Sequence, residues 1–159
     1  MPSRTAEPAP PRVHVSYALS RRGLPAAVSW RRWVAQALVS ARHDADAELS
    51  IRIVGAREGR ALNRRYRGRD YATNVLSFPI ELPGGLRTQL LGDIVLCAPV
   101  LRAQARAQGK QLAQHAAHLT IHGVLHLLGH DHQRPRQAAR MEALEIAALA
   151  ALGWPDPYA

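Results

Sequence analysis

Trp30, Trp33, Val34, Ala37, Leu38 and Ala41 recur every three or four residues, with Arg31 and Arg32 on the opposite side. That period predicts a helix over residues 26–42 with both tryptophans in the core. Leu49, Ile51 and Ile53 alternate with polar residues and predict a half-buried strand over 48–54. A weaker alternation over 13–17 predicts an earlier strand. Residues 56–65 read as a helix with Ala61 and Leu62 facing inward. After Gly68, residues 74–78 form a short strand ended by Pro79, which cannot donate to a sheet ladder. Pro83, Gly84 and Gly85 mark a loop. The apolar run over 90–97 predicts a strand buried on both faces.

The rest reads as helical. Pro99, at a first-turn position, opens a helix that stops near Gly109. A second helix covers 112–128 and stops at Gly129. A third runs over 135–153, with Trp154 and Pro155 beyond it. Early strands followed by a helical C-terminal half predict an α+β domain. Residues 12–159 are expected to form one domain. Residues 1–11 contain Pro2, Pro8, Pro10 and Pro11 with no apolar run, and are expected to be a flexible tail, not a secretory signal.

Composition narrows the class. At 159 residues, 47% apolar and 21% charged, the chain has enough for one ordinary core. A membrane span needs about 20 consecutive apolar residues. The best run, 146–152, falls far short, so no membrane association is expected. The single cysteine, Cys97, excludes an internal disulfide and any zinc site built on two thiolates. One free cysteine and no signal fit a cytoplasmic location. The formal net charge of +9 points to a polyanionic partner such as RNA or DNA. A basic protein with no such partner is the alternative.

The histidines bring the first chemistry. Six of the eight fall between His115 and His132, around HGVLHLLGHDH. His122 and His126 are four apart, so on a helix they project from one face about a turn apart. That spacing lets both rings reach one ion at about 2.0–2.1 Å. Gly129 ends the helix and lets the chain fold back, which places His132 as third ligand. The layout matches the ligand frame of metzincin metalloproteases, except that their glutamate after the first histidine is here Gly123. Three imidazoles favour zinc and leave a fourth position open, the catalytic arrangement. Zinc so held lowers the pKa of bound water.

The neighbouring residues are less determined. His118, a turn before His122, reads either as a support behind the metal or as a satisfied core histidine. Asp131 reads either as the orienter of a ligand imidazole or as a turn residue. His115 is expected on the surface, and His130 near substrate. Residues 57–69 hold six arginines, among them Arg64, Arg65, Arg67 and Arg69, with Tyr66 between. The arginines suit a phosphate backbone, and Tyr66 a stacked base; a solvated helix face is the plainer reading for most of them. Arg67 differs, because it stands at the helix end just before Gly68 and can lean over a cleft.

With these segments in view, the chain resembles the YbeY family of bacterial metal-dependent endoribonucleases. The resemblance runs from about residue 13 to 158. HGVLHLLGHDH is similar to the family's H-G-x-L-H-L-x-G-[YF]-D-H, with His130 where an aromatic is usual. LNRRYRGRDYATNVLSFP, LLGDIVLC and LGWPDPY follow family segments in the right order. The resemblance implies a small mixed sheet, here four-stranded with about five helices, and a zinc-binding helix in the C-terminal half. It implies one zinc on His122, His126 and His132, and a functional arginine at Arg67. It also implies cleavage of single-stranded RNA in 3′-end maturation of small-subunit ribosomal RNA and in ribosome quality control. The expected partners are therefore single-stranded RNA, ribosomal RNA and the small ribosomal subunit, not DNA.

The expected chemistry is metal-assisted phosphodiester cleavage, with Arg67 stabilising charge on the non-bridging oxygens. Attack by water and attack by the RNA's own 2′-hydroxyl both remain open. Two rivals stand: a non-catalytic zinc-containing RNA-binding assembly factor, and a zinc peptidase. Asp93 is left between a catalytic role and an arginine partner.

Overall fold

The structure is a computed structural model and describes residues 9–86 and 88–159. Most of the expected tail, residues 1–8, lies outside the described residues. The elements are β1 (Arg12–Tyr17), α1 (Ala27–Ser40), β2 (Glu48–Val54), α2 (Ala56–Arg67), β3 (Val75–Pro79), β4 (Leu90–Cys97), α3 (Ala98–Ala107), α4 (Leu112–Leu127) and α5 (Pro135–Ala151). A single turn of 3-10 helix covers Pro83–Gly85, where a loop was expected.

The sheet order is β1-β2-β4-β3. β1, β2 and β4 are parallel, and β3 runs antiparallel on β4. The fold is α+β with a mixed four-stranded sheet and five helices, as the sequence predicts. Ile51 pairs with Ile94 and Ile53 with Leu96. Their side chains join Trp30, Trp33 and the apolar positions of α4 in the main core. The two tryptophan rings meet edge to face, 5.0 Å apart. On the other face Val54, Leu76, Val95 and Cys97 form a smaller cluster with Leu62 of α2. None of the described helices is long and apolar enough to cross a membrane.

Three expectations fail in detail. Ala61 is exposed, and the buried positions of α2 are Gly59 and Asn63. The helix presses on the sheet at Gly59, where a Cβ would stand 3.1 Å from Cys97 Sγ. Asn63 is buried because its amide donates to the Tyr71 carbonyl at 2.7 Å. This face is therefore anchored by a polar contact that apolar periodicity cannot show. β4 is buried throughout only from Ile94 to Cys97; Leu90 and Asp93 are exposed, since the smaller cluster under α2 reaches no further than Val95. His115 is 4% exposed, because α3 packs over the first half of α4. Its Nε2 lies 2.8 Å from Gln104 Oε1. Burial, then the charges of His118 and Lys110, hold its pKa down at about 4.

Candidate metal centre

His122 and His126 lie on the last turns of α4. Gly129 follows with φ +95°, a conformation that a residue with a Cβ rarely adopts. The His130 amide bonds back to the Leu125 carbonyl at 3.0 Å, and the reversed chain returns His132 to the helix. Asp131 Oδ1 accepts from the His132 amide at 2.7 Å and so holds this turn.

The result is compact. One ring nitrogen from each of His122, His126 and His132 lies within 4.8 Å of the others. The Nε2 atoms of His122 and His126 are 3.1 Å apart. Burial, then the charges of His122 and His132, lower the His126 pKa to about 4. Its ring is therefore neutral near pH 7, with a lone pair free to ligate. Three converging imidazoles without a thiolate are a donor set that can hold a divalent metal ion.

Behind the centre stands a residue that the sequence reading missed. Glu145 of α5 is 1% exposed. Its Oε1 accepts from His118 Nε2 at 2.8 Å and from His122 Nδ1 at 3.2 Å. The Tyr158 hydroxyl donates to both carboxylate oxygens at 3.0 Å. Burial raises the Glu145 pKa, but the hydrogen bonds from His118 and His122 outweigh it and bring it to about 2. Burial and the Glu145 charge push the Tyr158 hydroxyl up, so it keeps its proton. An ionised carboxylate only accepts, so His122 must present N–H at Nδ1. Its Nε2 then turns a lone pair toward His126 and the metal position. One signal could have found Glu145: it is the only acid on the buried stripe Met141, Glu145, Ala148, Leu149.

Gly123 explains the missing glutamate. A Cβ there would stand 3.1 Å from Ile94 Cγ2 and 3.2 Å from Ser77 Oγ. Ser77 also donates to the Gly123 carbonyl at 3.3 Å. The position that carries the general base in metzincins is here pressed against the sheet and has no room for a long side chain.

The histidines open into a cleft of about 800 Å³. Arg67 and Arg69 line it, as do Thr73 and Asn74 just before β3 and Ser77 within it. Asp131 and Gln133 line it from the loop after α4. Arg67 is fixed by one hydrogen bond, Nη2 to the Ser77 carbonyl at 3.0 Å. Arg69 donates to the Tyr71 hydroxyl at 3.1 Å. The cleft does not gather the other arginine-segment candidates. Arg64 lines a separate groove with Asp70. The Arg65 guanidinium lies 5.3 Å over the Tyr66 ring, and Tyr66 packs edge-on to Phe78. His118 stands behind the centre, on Glu145. His130 lines the cleft, and burial, then the nearby Arg140, lowers its pKa.

Fold and site together define an α+β protein with an open three-histidine centre that can take a metal, set beside a row of arginines. Residues 23–153 match the family model described as endoribonuclease YbeY. The chain belongs to the YbeY endoribonuclease family. It is 60% identical over 151 residues to a protein of Stenotrophomonas maltophilia (strain K279a) named endoribonuclease YbeY, covering 92% of each chain. A protein of the same name from Xanthomonas axonopodis pv. citri (strain 306) is 58% identical, again over 92% of each chain. In structure the chain resembles a Thermotoga maritima protein solved in solution, at 20% identity, a TM-score of 0.57, and coverage of 89% and 91%.

Proposed function

We propose that residues 12–159 form a single zinc-dependent endoribonuclease domain specific for single-stranded RNA. It acts in the cytoplasm on ribosomal RNA of the small subunit, in 3′-end maturation and ribosome quality control. The observation that carries this reading is the open three-histidine centre sharing one cleft with Arg67, in a chain whose relatives are named endoribonucleases.

One zinc ion on His122, His126 and His132 would supply a Lewis acid and an acidified water ligand. The chain's own residues do the rest. Glu145 fixes the His122 tautomer, with His118 as its second imidazole partner. Asp131 holds the turn that presents His132. Arg67 uses one N–H on the Ser77 carbonyl and keeps the rest of its planar fork for phosphate oxygens. Held at the cleft edge, it stabilises charge that develops on the non-bridging oxygens. Arg69 carries a second positive charge in the cleft; Arg64, Arg65 and Tyr66 extend a path for RNA along α2.

The test is cleavage of single-stranded RNA carrying the 3′-extended end of small-subunit ribosomal RNA, with wild type beside His126→Ala. Cutting by wild type alone is expected. Equal cutting by both overturns the assignment of the centre. Binding without cutting by wild type, with zinc present, points to the assembly factor. Gly123, with no room for glutamate, disfavours the peptidase.

A further inference from the structure

Gln133 lines the metal cleft, and the chain that leaves it runs directly into Arg134, Pro135 and Arg136. Arg140 follows one turn later on α5. Arg136 and Arg140 are four apart, which places them on one helix face with Cβ atoms about 5–6 Å from each other. All three arginines are exposed. Among the described residues none of their side chains joins an ion pair or donates a hydrogen bond. The first turn of α5 holds no acid to neutralise them.

Three arginines of the 57–69 segment differ: Arg60 is held by Asp70 in a two-bonded pair, and Arg67 and Arg69 each donate to a partner. Arg134, just before α5, and Arg136 and Arg140 on it follow the cleft-lining Gln133 with no ion-pair partner of their own. Arg134 is one residue from Gln133, which lines the cleft. Like charges so close repel, and that cost is relieved when a polyanion binds across them.

We propose that Arg134, Arg136 and Arg140 form a second phosphate-binding bank, which holds the backbone of the single-stranded RNA on the α5 side of the cleft. The proposal rests on the ribonuclease reading and adds the path of the substrate. Arg67 and Arg69 hold the strand beside β3, and the α5 bank holds it beyond the loop that carries His132. These contacts act alike on bound substrate and transition state. Their loss therefore raises KM and leaves kcat close to its original value.

The experiment measures binding of a labelled single-stranded RNA to the zinc-loaded protein by fluorescence anisotropy across a salt series. Wild type is compared with R134Q/R136Q/R140Q and with R22Q/R32Q/R106Q, which removes the same formal charge from positions that line neither the cleft nor the bank. Each lost contact lowers the slope of log affinity against log salt by about 0.7, so the α5 variant is expected to lose about 2. The control is expected to lose less than half as much. KM should rise about tenfold or more in the α5 variant, with zinc content and melting temperature unchanged. A wild type that binds and cuts RNA, with a slope that the α5 substitutions change no more than the control does, overturns this proposal alone. A wild type that fails to bind single-stranded RNA overturns the ribonuclease reading as well.

Discussion

The two halves of α4 carry the same residue at helical spacing and do different things with it. His115, His118, His122 and His126 form one ladder of steps of three, four and four. In the first half, α3 and α5 lie opposite: His115 meets Gln104 and His118 meets Glu145. In the second half the chain has turned away at Gly129, and His122 and His126 open into the cleft. Helical period decides only the direction in which a side chain leaves its helix. Whatever lies opposite decides whether an imidazole becomes a core group or a ligand. Glu145 joins the two halves, because it accepts from one histidine of each.

The sharpest way to break this comparison is to remove one histidine from each half. His126→Ala is expected to abolish metal binding and cleavage. His115→Gln keeps a donor for Gln104 and is expected to retain both. Metal content by elemental analysis checks this, and a full metal complement in His126→Ala would sink the division. Glu145→Gln comes next. It keeps the volume but loses the carboxylate that orients His122, and metal affinity is expected to fall roughly 10- to 100-fold. Competition with a chromogenic chelator measures it. An unchanged affinity would confine Glu145 to the core, with no hold on the centre.

Much of this site is legible in the chain because its parts are local. The pair His122 and His126 on α4, the stop at Gly129 and the return of His132 all fall within 11 residues, where helix geometry alone places the side chains. Glu145 lies 23 residues beyond His122, and only the packing of α5 on α4 brings them together. His115 is the same lesson in reverse: its burial is supplied by α3, which nothing in the histidine spacing announces. The inward face of α2 escapes for a related reason. Asn63 is buried by a bond to a loop carbonyl, and the sequence shows only a polar residue. The sheet was readable from alternation and apolar runs, whereas the end of α2's cover on β4 was not.

The third prediction sharpens the first half of α4 by pH. The folded pKa of His115 is held at about 4, below the ordinary 6.5 of the unfolded chain. The unfolded state therefore binds the proton more readily. The stability tied to neutral His115 is fully present above about pH 6.5 and is lost as pH falls toward 4. Between pH 7 and pH 5 the loss is on the order of 1 kcal/mol. His115→Gln removes this titration and leaves that of His126 in place. Its stability in urea should accordingly fall less steeply with acid than that of wild type. Parallel profiles would mean that His115 is not held neutral by its surroundings.

The smallest effect is expected at Tyr158, which reaches the junction between the two halves from the C-terminal end of the chain. Tyr158→Phe deletes the hydroxyl that donates to Glu145 and keeps the ring, which stands edge-on to His118 at 5.5 Å. Glu145 retains both imidazole donors, so its charge stays compensated. One hydrogen bond of this kind contributes about 0.5–3 kcal/mol, and only part of that passes through Glu145 to the His122 ring. A drop in metal affinity of severalfold is expected, below that of Glu145→Gln, measured in the same chelator competition. A drop equal to that of Glu145→Gln would mean that Tyr158, and not the two imidazoles, sets the carboxylate. The C-terminal turn would then belong to the metal centre as fully as α5 does.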